Sequence, residues 1–436
     1  MATEWPALLI TGGRVVDPAG ALDRMADVLI EGGRIRDVAT GISAEGRRVL
    51  DADGLVVVPG LIDLHAHLRD PGQTHKEDIA SGTLAAVRGG FTSIACMANT
   101  VPPIDHPTVV EYVRSVAAKS AACRVYPIGA ITKGLAGQEL ALIGGLAAAG
   151  VVAISDDGAA VADAGLLRRA MTYAAMYGLP VMEHCEDRAL SDAGVMHEGT
   201  WSSVLGLHGI PAVAEDTVVA RDLLLAESTG AHLHVLHVST AGSVKLIREA
   251  KRRGMRVTAE VTPHHLLLTD EAVAGFDANF KMNPPLRSRG DVAALREALT
   301  DGTIDAIATD HAPHTVEEKT VEFDAAPFGV SGLETAVGLM LTFLVRAGGL
   351  DLPTLVQLMS TGPATILGLP SGRLAPGAPA DLTLLDLDRA WTVDPQTFAS
   401  KSRNTPFTGW NLIGKAVGTI VGGEIKYSEL PVEARS

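Results

Sequence analysis

The sequence predicts an α/β protein: a (β/α)8 TIM barrel with a small β-sandwich domain formed by both termini. Three observations predict it. Between about Leu55 and Gly368, eight apolar, β-rich runs alternate with alanine- and leucine-rich helical stretches, and strand alternating with helix implies a parallel sheet that eight repeats can close. Both ends of the chain instead carry short strands punctuated by glycine pairs. The polar residues of the middle section collect at the carboxyl ends of its strands, where barrels keep their active sites.

With 436 residues, 47% of them apolar and 20% charged, the chain can form one large cored domain and a smaller one. Its 51 acidic and 36 basic side chains give a net charge of −15. That balance argues against a nucleic-acid or anionic-membrane surface, both of which require concentrated Lys and Arg. A small molecule is the expected partner. Apolar stretches such as Ala336 to Val345 fall far short of the roughly 20 residues a membrane span needs. Met1 to Ile10 holds Glu4 and no Lys or Arg, unlike the basic start of a secretory signal. Cys96, Cys123 and Cys185 are an odd count without a CxxC pair, so no disulfide framework is expected. The cytoplasm is the expected compartment, and a homo-oligomer is left open.

Residues 1–55 read as the N-terminal part of the sandwich. LLITGGRVVD and DVLIEGGRIRDV place Gly12-Gly13 and Gly32-Gly33 between apolar runs, where glycine supplies the positive φ of tight hairpin turns. Residues 370–436 read as its C-terminal part, with ADLTLLDLD from Ala380 and GTIVGGEIKY around Gly422-Gly423, after a Pro/Gly-rich return linker at Pro370 to Pro379. Residues 56–369 read as the barrel. Its runs are GLVVVPGLIDLHAH, TSIACMANT, CRVYPIGAIT, VVAISDDG, PVMEHCED, HLHVLHVST, RVTAEVTPHH and IDAIATDHAPH. Each but the last precedes helix-like sequence, such as Gly165 to Tyr177 or Ser243 to Arg253.

The first run ends in Asp63-Leu64-His65-Ala66-His67. Side chains at i and i+2 of a strand share one face, so His65 and His67 can chelate one metal in the barrel mouth. The fourth, fifth, sixth and eighth runs end in Asp156-Asp157, His184, His237 and Asp310. Four imidazoles and two carboxylates exceed one four-coordinate zinc and suit two metals sharing a bridging group. The expected cofactor is two Zn2+ ions per chain. Strand alternation sends only one of Asp156 and Asp157 inward, and the chemistry leaves either as the ligand.

The paired histidines after the first strand, the single histidines after the fifth and sixth, the aspartate after the eighth and the two-ended sandwich resemble the amidohydrolase superfamily. Within it, DLHAHLRDPG, MANT, ISDDG, EHCED, HVSTA, KMNPPLR, ATDHAPH and PFGVSGLETA resemble the class I bacterial dihydroorotases over nearly the whole chain. The resemblance implies that His65, His67 and Asp310 hold one metal, that His184 and His237 hold the second, and that Asp157 is shared. Many relatives, hydantoinases among them, bridge their metals with a carboxylated lysine of the fourth strand. No lysine occurs here between Lys133 and Lys245, which favours an aspartate bridge and counts against those relatives.

The resemblance further implies reversible hydrolysis of the ring amide of dihydroorotate to N-carbamoyl-aspartate, in de novo pyrimidine synthesis. Two divalent ions would lower the pKa of a bridging water. Asp310 would take its proton and pass it to the leaving nitrogen. Dihydroorotate carries one carboxylate, and Arg69, two residues after His67, offers it a planar fork; the bland alternative pairs Arg69 with Asp70. Asn99 and His314 complete the anion site by resemblance. Asn283, in a loop stiffened by Pro284-Pro285, and the backbone of Phe328-Gly329 are expected to hydrogen-bond the ureide. The segment His314 to Pro327 is polar and aperiodic, which suits a mobile loop over the site. Cys185 is expected to be a buried small residue, since no base is positioned to make it a nucleophile. The competing readings are an allantoinase or hydantoinase, and a non-catalytic barrel that partners aspartate transcarbamoylase. Class I relatives include complex-forming members, so an active protein could bind that enzyme as well.

Overall fold

A computed structural model describes residues 7–435 of the chain. Both ends contribute to one nine-stranded sheet. In it Leu8–Asp17 pairs with Leu22–Glu31, with Arg47–Asp51 and with Val56–Pro59, and Val56–Pro59 pairs in turn with Leu382–Thr392 from the other end. Leu382–Thr392 continues to Asn411–Val421 and Glu424–Ser428. Alternating apolar residues from both ends, among them Ile10, Val15, Val28, Val57, Leu382 and Ile420, bury together as one core.

Two of the three glycine pairs turn hairpins as the sequence predicts: Gly32 and Gly33 both have positive φ, as do Gly422 and Gly423. Gly12-Gly13 does not. Leu8–Asp17 runs through it as a single strand, with Gly12 at φ +73° and the register against Leu22–Glu31 shifting between Ile10 and Gly13. The pair forms a bulge instead of a turn, because the residues on both sides keep the same pairing partner. The first long run is also divided. Val56–Pro59 belongs to the terminal sheet and Leu61–Ala66 to the next, with Gly60 between them so close to Thr92 that a Cβ there would lie 2.2 Å from its hydroxyl.

From Leu61 onward parallel pairings form a closed ring. Leu61–Ala66 pairs with Phe91–Cys96, and that strand with Arg124–Pro127. Single bridges at Gly129–Ile154 and Ile154–Val181 carry the ring through its fourth segment. Val181–Glu183, Leu233–Val235, Val257–Val261 and Ala306–Ile307 follow in order. Ala66 then pairs with His311, and the His67 amide donates to the His311 carbonyl at 2.8 Å, so the eighth segment returns to the first. Asp63, fully buried, stitches this seam by accepting from the Thr309 amide at 2.9 Å and hydroxyl at 2.5 Å.

Helices follow the ring segments, including Ile79–Arg88, Ala164–Met176 and Ala241–Arg252, whose first turns are capped by Asp78, Asp163 and Thr240. The ring and the terminal sheet are tied by Arg124, whose Nε and Nη2 donate to Asp381 at 2.8 and 3.0 Å. No helix among the described residues is long and apolar enough to cross a membrane.

Candidate metal centre

The ring's strand ends converge on Asp157. Its Oδ2 lies 3.5 Å from His65 Nε2 and 3.4 Å from His67 Nε2, and its Oδ1 lies 3.6 Å from both His184 Nδ1 and His237 Nε2. One carboxylate therefore offers one oxygen to each of two histidine pairs. Asp310 Oδ1 joins the first pair, 3.4 Å from His65 Nε2 and 3.1 Å from His67 Nε2. Candidate ligand atoms fall within 4.8 Å of one another in the sets His65–His67–Asp157, Asp157–His184–His237 and His65–His237–Asp310. All six sequence-predicted ligand residues are thus brought together.

Asp156 points away. Its Oδ1 accepts from the amides of Ile131 and Thr132 at 2.7 and 3.0 Å and its Oδ2 from the Thr132 hydroxyl, fastening the fourth segment to the third.

The donor set fits divalent cations. His65 Nδ1 donates to Glu260 Oε1 at 2.7 Å, so Nε2 carries the lone pair; Nε2 is buried and has no hydrogen-bond partner, while two carboxylate oxygens face it. A cation on Nε2 resolves that arrangement, and imidazole with carboxylate is a donor set zinc accepts. In place of a cation the rings take up protons: burial opposes the ionisation of Asp157, but the charge on His65 and hydrogen bonds from His184, His237 and His65 outweigh it and hold the carboxyl well below its usual range. For Asp310 burial is likewise outweighed, by His65 and His67.

Backbone strain accompanies the site. Arg69, His237 and Asp310 are non-glycine residues with φ of +56°, +29° and +46°. Such angles cost free energy and persist where the surroundings over-determine them; here they re-aim side chains at the ends of strands.

Every residue expected to touch substrate, namely Arg69, Asn99, Asn283, His314, Phe328 and Gly329, lines the cavity of about 380 Å³ that opens onto His67, Asp157, His184, His237 and Asp310. Arg69 does not pair with Asp70, whose carboxylate accepts from the Tyr112 hydroxyl at 3.0 Å. Its Nε donates to the Pro313 carbonyl at 3.3 Å, and no carboxylate among the described residues lies within ion-pair distance of it. Asn99 does more than line the cavity: its Oδ1 accepts from His67 Nδ1 at 2.8 Å.

His314 is held neutral, its pKa pushed down to about 3 by burial and by the cations Arg69, Lys76 and Lys319. Its Nε2–H donates to the Phe328 carbonyl at 2.9 Å. The Gly329 amide donates to the Lys281 carbonyl at 2.9 Å, so these two backbone groups of the expected ureide site are already engaged. Gly329 sits at φ +132°, and a Cβ there would meet Ala312 at 2.8 Å.

The segment after His314 holds one helical turn, Val316–Lys319, too short to produce a sequence period. Lys319 Nζ donates to the carbonyls of Ala278, Lys281 and Pro327 at 2.9, 3.2 and 2.8 Å, fastening the segment beside the cavity. Cys185 is buried, and burial first, then Asp222 and Glu183, raise its thiol well above the ordinary range.

Sequence reasoning missed two carboxylates. Glu260 receives His65, and Glu186 Oε2 receives His184 Nε2 at 2.9 Å and Asn283 Nδ2 at 2.6 Å. Such partners orient metal-binding imidazoles. Glu186 was within reach of sequence reading, since it stands at i+2 from His184 in EHCED; Glu260 had no local signal.

A ring of parallel segments with histidines and aspartates gathered at its strand ends defines an amidohydrolase, and the model of that family matches residues 196–427. A second model, dihydro-orotase-like, matches residues 54–243. The chain is 59% identical over 418 residues to a dihydroorotase of Pelotomaculum thermopropionicum, covering 96% of this chain and 98% of that one. It is 52% identical over 421 residues to a dihydroorotase of Geobacter metallireducens, covering 96% and 99%. The chain belongs to the dihydroorotase family. Among solved structures, an L-hydantoinase (dihydropyrimidinase) from Arthrobacter aurescens matches with a TM-score of 0.87 at 28% identity over 98% of each chain. That likeness implies a TIM barrel with a β-sandwich.

Proposed function

We propose that this protein is a dihydroorotase, opening the ring of dihydroorotate to N-carbamoyl-aspartate and closing it in the biosynthetic direction. In this reading the parallel ring, from Leu61 to residue 369, is a (β/α)8 barrel; the boundary expected at residue 56 moves to Gly60 because Val56–Pro59 pairs with Leu382–Thr392, so residues 7–59 and 370–435 form the sandwich. His65, His67 and Asp310 would hold one Zn2+ and His184 and His237 a second, with the Asp157 carboxylate between the two histidine pairs. Bound at this centre, divalent ions supply an activated water near neutral pH and a polarised substrate carbonyl.

The chain's own groups do the rest. Arg69 is the observation that carries the substrate assignment: a guanidinium in the cavity wall, without an ion-pair partner among the described residues, fits one substrate carboxylate through paired, charge-assisted hydrogen bonds. Asn283 Nδ2 is held by Glu186, which leaves its Oδ1 to accept a ureide N–H. Asp310 takes the proton of the attacking water and delivers it to the ring nitrogen as that bond breaks.

The structural likeness to hydantoinases gives a second reading, an enzyme for uncharged cyclic ureides. A purified-protein panel of dihydroorotate, hydantoin and allantoin separates the two. Ring opening of dihydroorotate alone, lost on chelation and recovered with zinc, is the expected result; turnover of the uncharged rings in preference to dihydroorotate overturns the assignment.

A further inference from the structure

The run HLHVLH carries three histidines, and the metal centre uses only His237. The other two stand on an unbroken chain of hydrogen bonds that starts at the metal centre. His65 Nδ1 meets Glu260 Oε1 at 2.7 Å, and Glu260 Oε2 meets His234 Nε2 at 3.1 Å. His234 Nδ1 meets the Thr258 hydroxyl at 2.8 Å, and that hydroxyl meets His232 Nε2 at 2.8 Å. His65, His234 and Glu260 are fully buried. His232 and Thr258 reach a cavity of about 560 Å³, lined also by Arg256 and Asp305, at the amino ends of the sixth to eighth ring segments. The chain crosses the ring from one mouth to the other.

Donor and acceptor bookkeeping fixes its direction. With His65 Nε2 committed to a metal, Nδ1 bears the proton and Glu260 must accept it; the His237 amide donates to the same oxygen at 3.3 Å. With Glu260 as carboxylate, His234 must donate from Nε2, and a neutral His234 ring then accepts at Nδ1. The Thr258 hydroxyl has one proton to give, and gives it to His234. His232 must then donate to Thr258 from Nε2. Each member has one consistent role, and every proton points toward Glu260.

We propose that His234, Thr258 and His232 are positioning residues that orient Glu260 and thereby lock His65 in the Nδ1–H tautomer that presents Nε2 to a metal. The inference rests on the assignment of His65 as a metal ligand. Glu260 also grips the amide of His237, so the same carboxylate aligns one histidine from each of the two pairs. Outer partners of ligating histidines typically contribute 10–100-fold in metal affinity.

The test compares zinc affinity by chelator competition in the parent protein, Thr258→Val, His234→Gln and Thr258→Ser, with circular dichroism to establish folding. Thr258→Val keeps the shape and removes the relay hydroxyl. The expected result is a loss of roughly 10–100-fold in affinity for at least one metal in Thr258→Val and His234→Gln, with Thr258→Ser restored to within about threefold of the parent. Folded variants with parental affinity overturn the proposal. Nitrogen-15 histidine spectra of the zinc-loaded parent give a second reading that needs no variant: His65 as the Nδ1–H tautomer, and His234 and His232 neutral as Nε2–H. An Nδ1–H tautomer at His234 overturns the chain. A parent that binds no zinc overturns the metal assignment itself, and this proposal with it, whereas a zinc-binding parent with unaffected variants overturns this proposal alone.

Discussion

His67 Nδ1 donates to Asn99 Oδ1 at 2.8 Å, which leaves the lone pair of His67 Nε2 facing Asp157 and Asp310. Asn99 thereby does for His67 what Glu260 does for His65. Asn99→Ala is expected to lower zinc affinity by roughly 10-fold or more, the usual effect of removing an orienting partner. Competition against a chelator measures it. A variant that keeps parental zinc affinity and loses only apparent affinity for dihydroorotate would leave Asn99 a substrate contact and nothing more.

Arg69 faces the cavity, has no ion-pair partner among the described residues, and donates from Nε to the Pro313 carbonyl. Arg69→Met is expected to cost about 2–5 kcal/mol in kcat/KM for dihydroorotate and carbamoyl-aspartate, the range for truncating one partner of a desolvated ion pair. An uncharged cyclic ureide should lose far less. Steady-state kinetics on both substrates decide this, and equal losses would make Arg69 a structural residue.

His314 couples stability to acid. Its pKa falls from the ordinary 6.5 to about 3 through burial and then the nearby cations Arg69, Lys76 and Lys319. A histidine depressed in the folded state binds protons more readily when unfolded, so its contribution is fully present above pH 6.5 and is lost as the pH falls toward 3. Between pH 7 and pH 5 the loss from this one group is about 2 kcal/mol. Denaturant unfolding of chelator-treated protein at both pH values should show a smaller acid loss in His314→Gln than in the parent; identical pH dependence would contradict the shift.

Much of the centre was legible because its ligands sit at strand ends in local patterns. His65 and His67 are an i, i+2 pair, and the fourth, fifth, sixth and eighth runs each end in a recognisable Asp or His. Asp157 was separated from Asp156 by resemblance, and the structure gives the physical reason: Asp156 is consumed by the Ile131 and Thr132 amides. Apart from Glu186, two residues from His184, what stayed hidden depends on contacts distant in sequence. The bond between His65 and Glu260 spans 195 positions and joins the first ring strand to the seventh. The same holds for Val56–Pro59, whose apolar run continues into the ring in sequence but pairs with Leu382–Thr392 in space. Gly12-Gly13 looks like the two true hairpin turns, and only the partner strand, continuous past it, reveals the bulge.

In the proposed mechanism two divalent ions flank the genetically encoded carboxylate of Asp157, and hydrolysis depends on both. It is tested most directly by stripping the protein with chelator and titrating zinc back while following dihydroorotate ring opening, once in degassed buffer and once with bicarbonate. Activity should rise to a plateau at about two equivalents per chain, because six ligand side chains exceed one tetrahedral site, with the same plateau in both buffers. A plateau at one equivalent, or a marked requirement for bicarbonate, would contradict it.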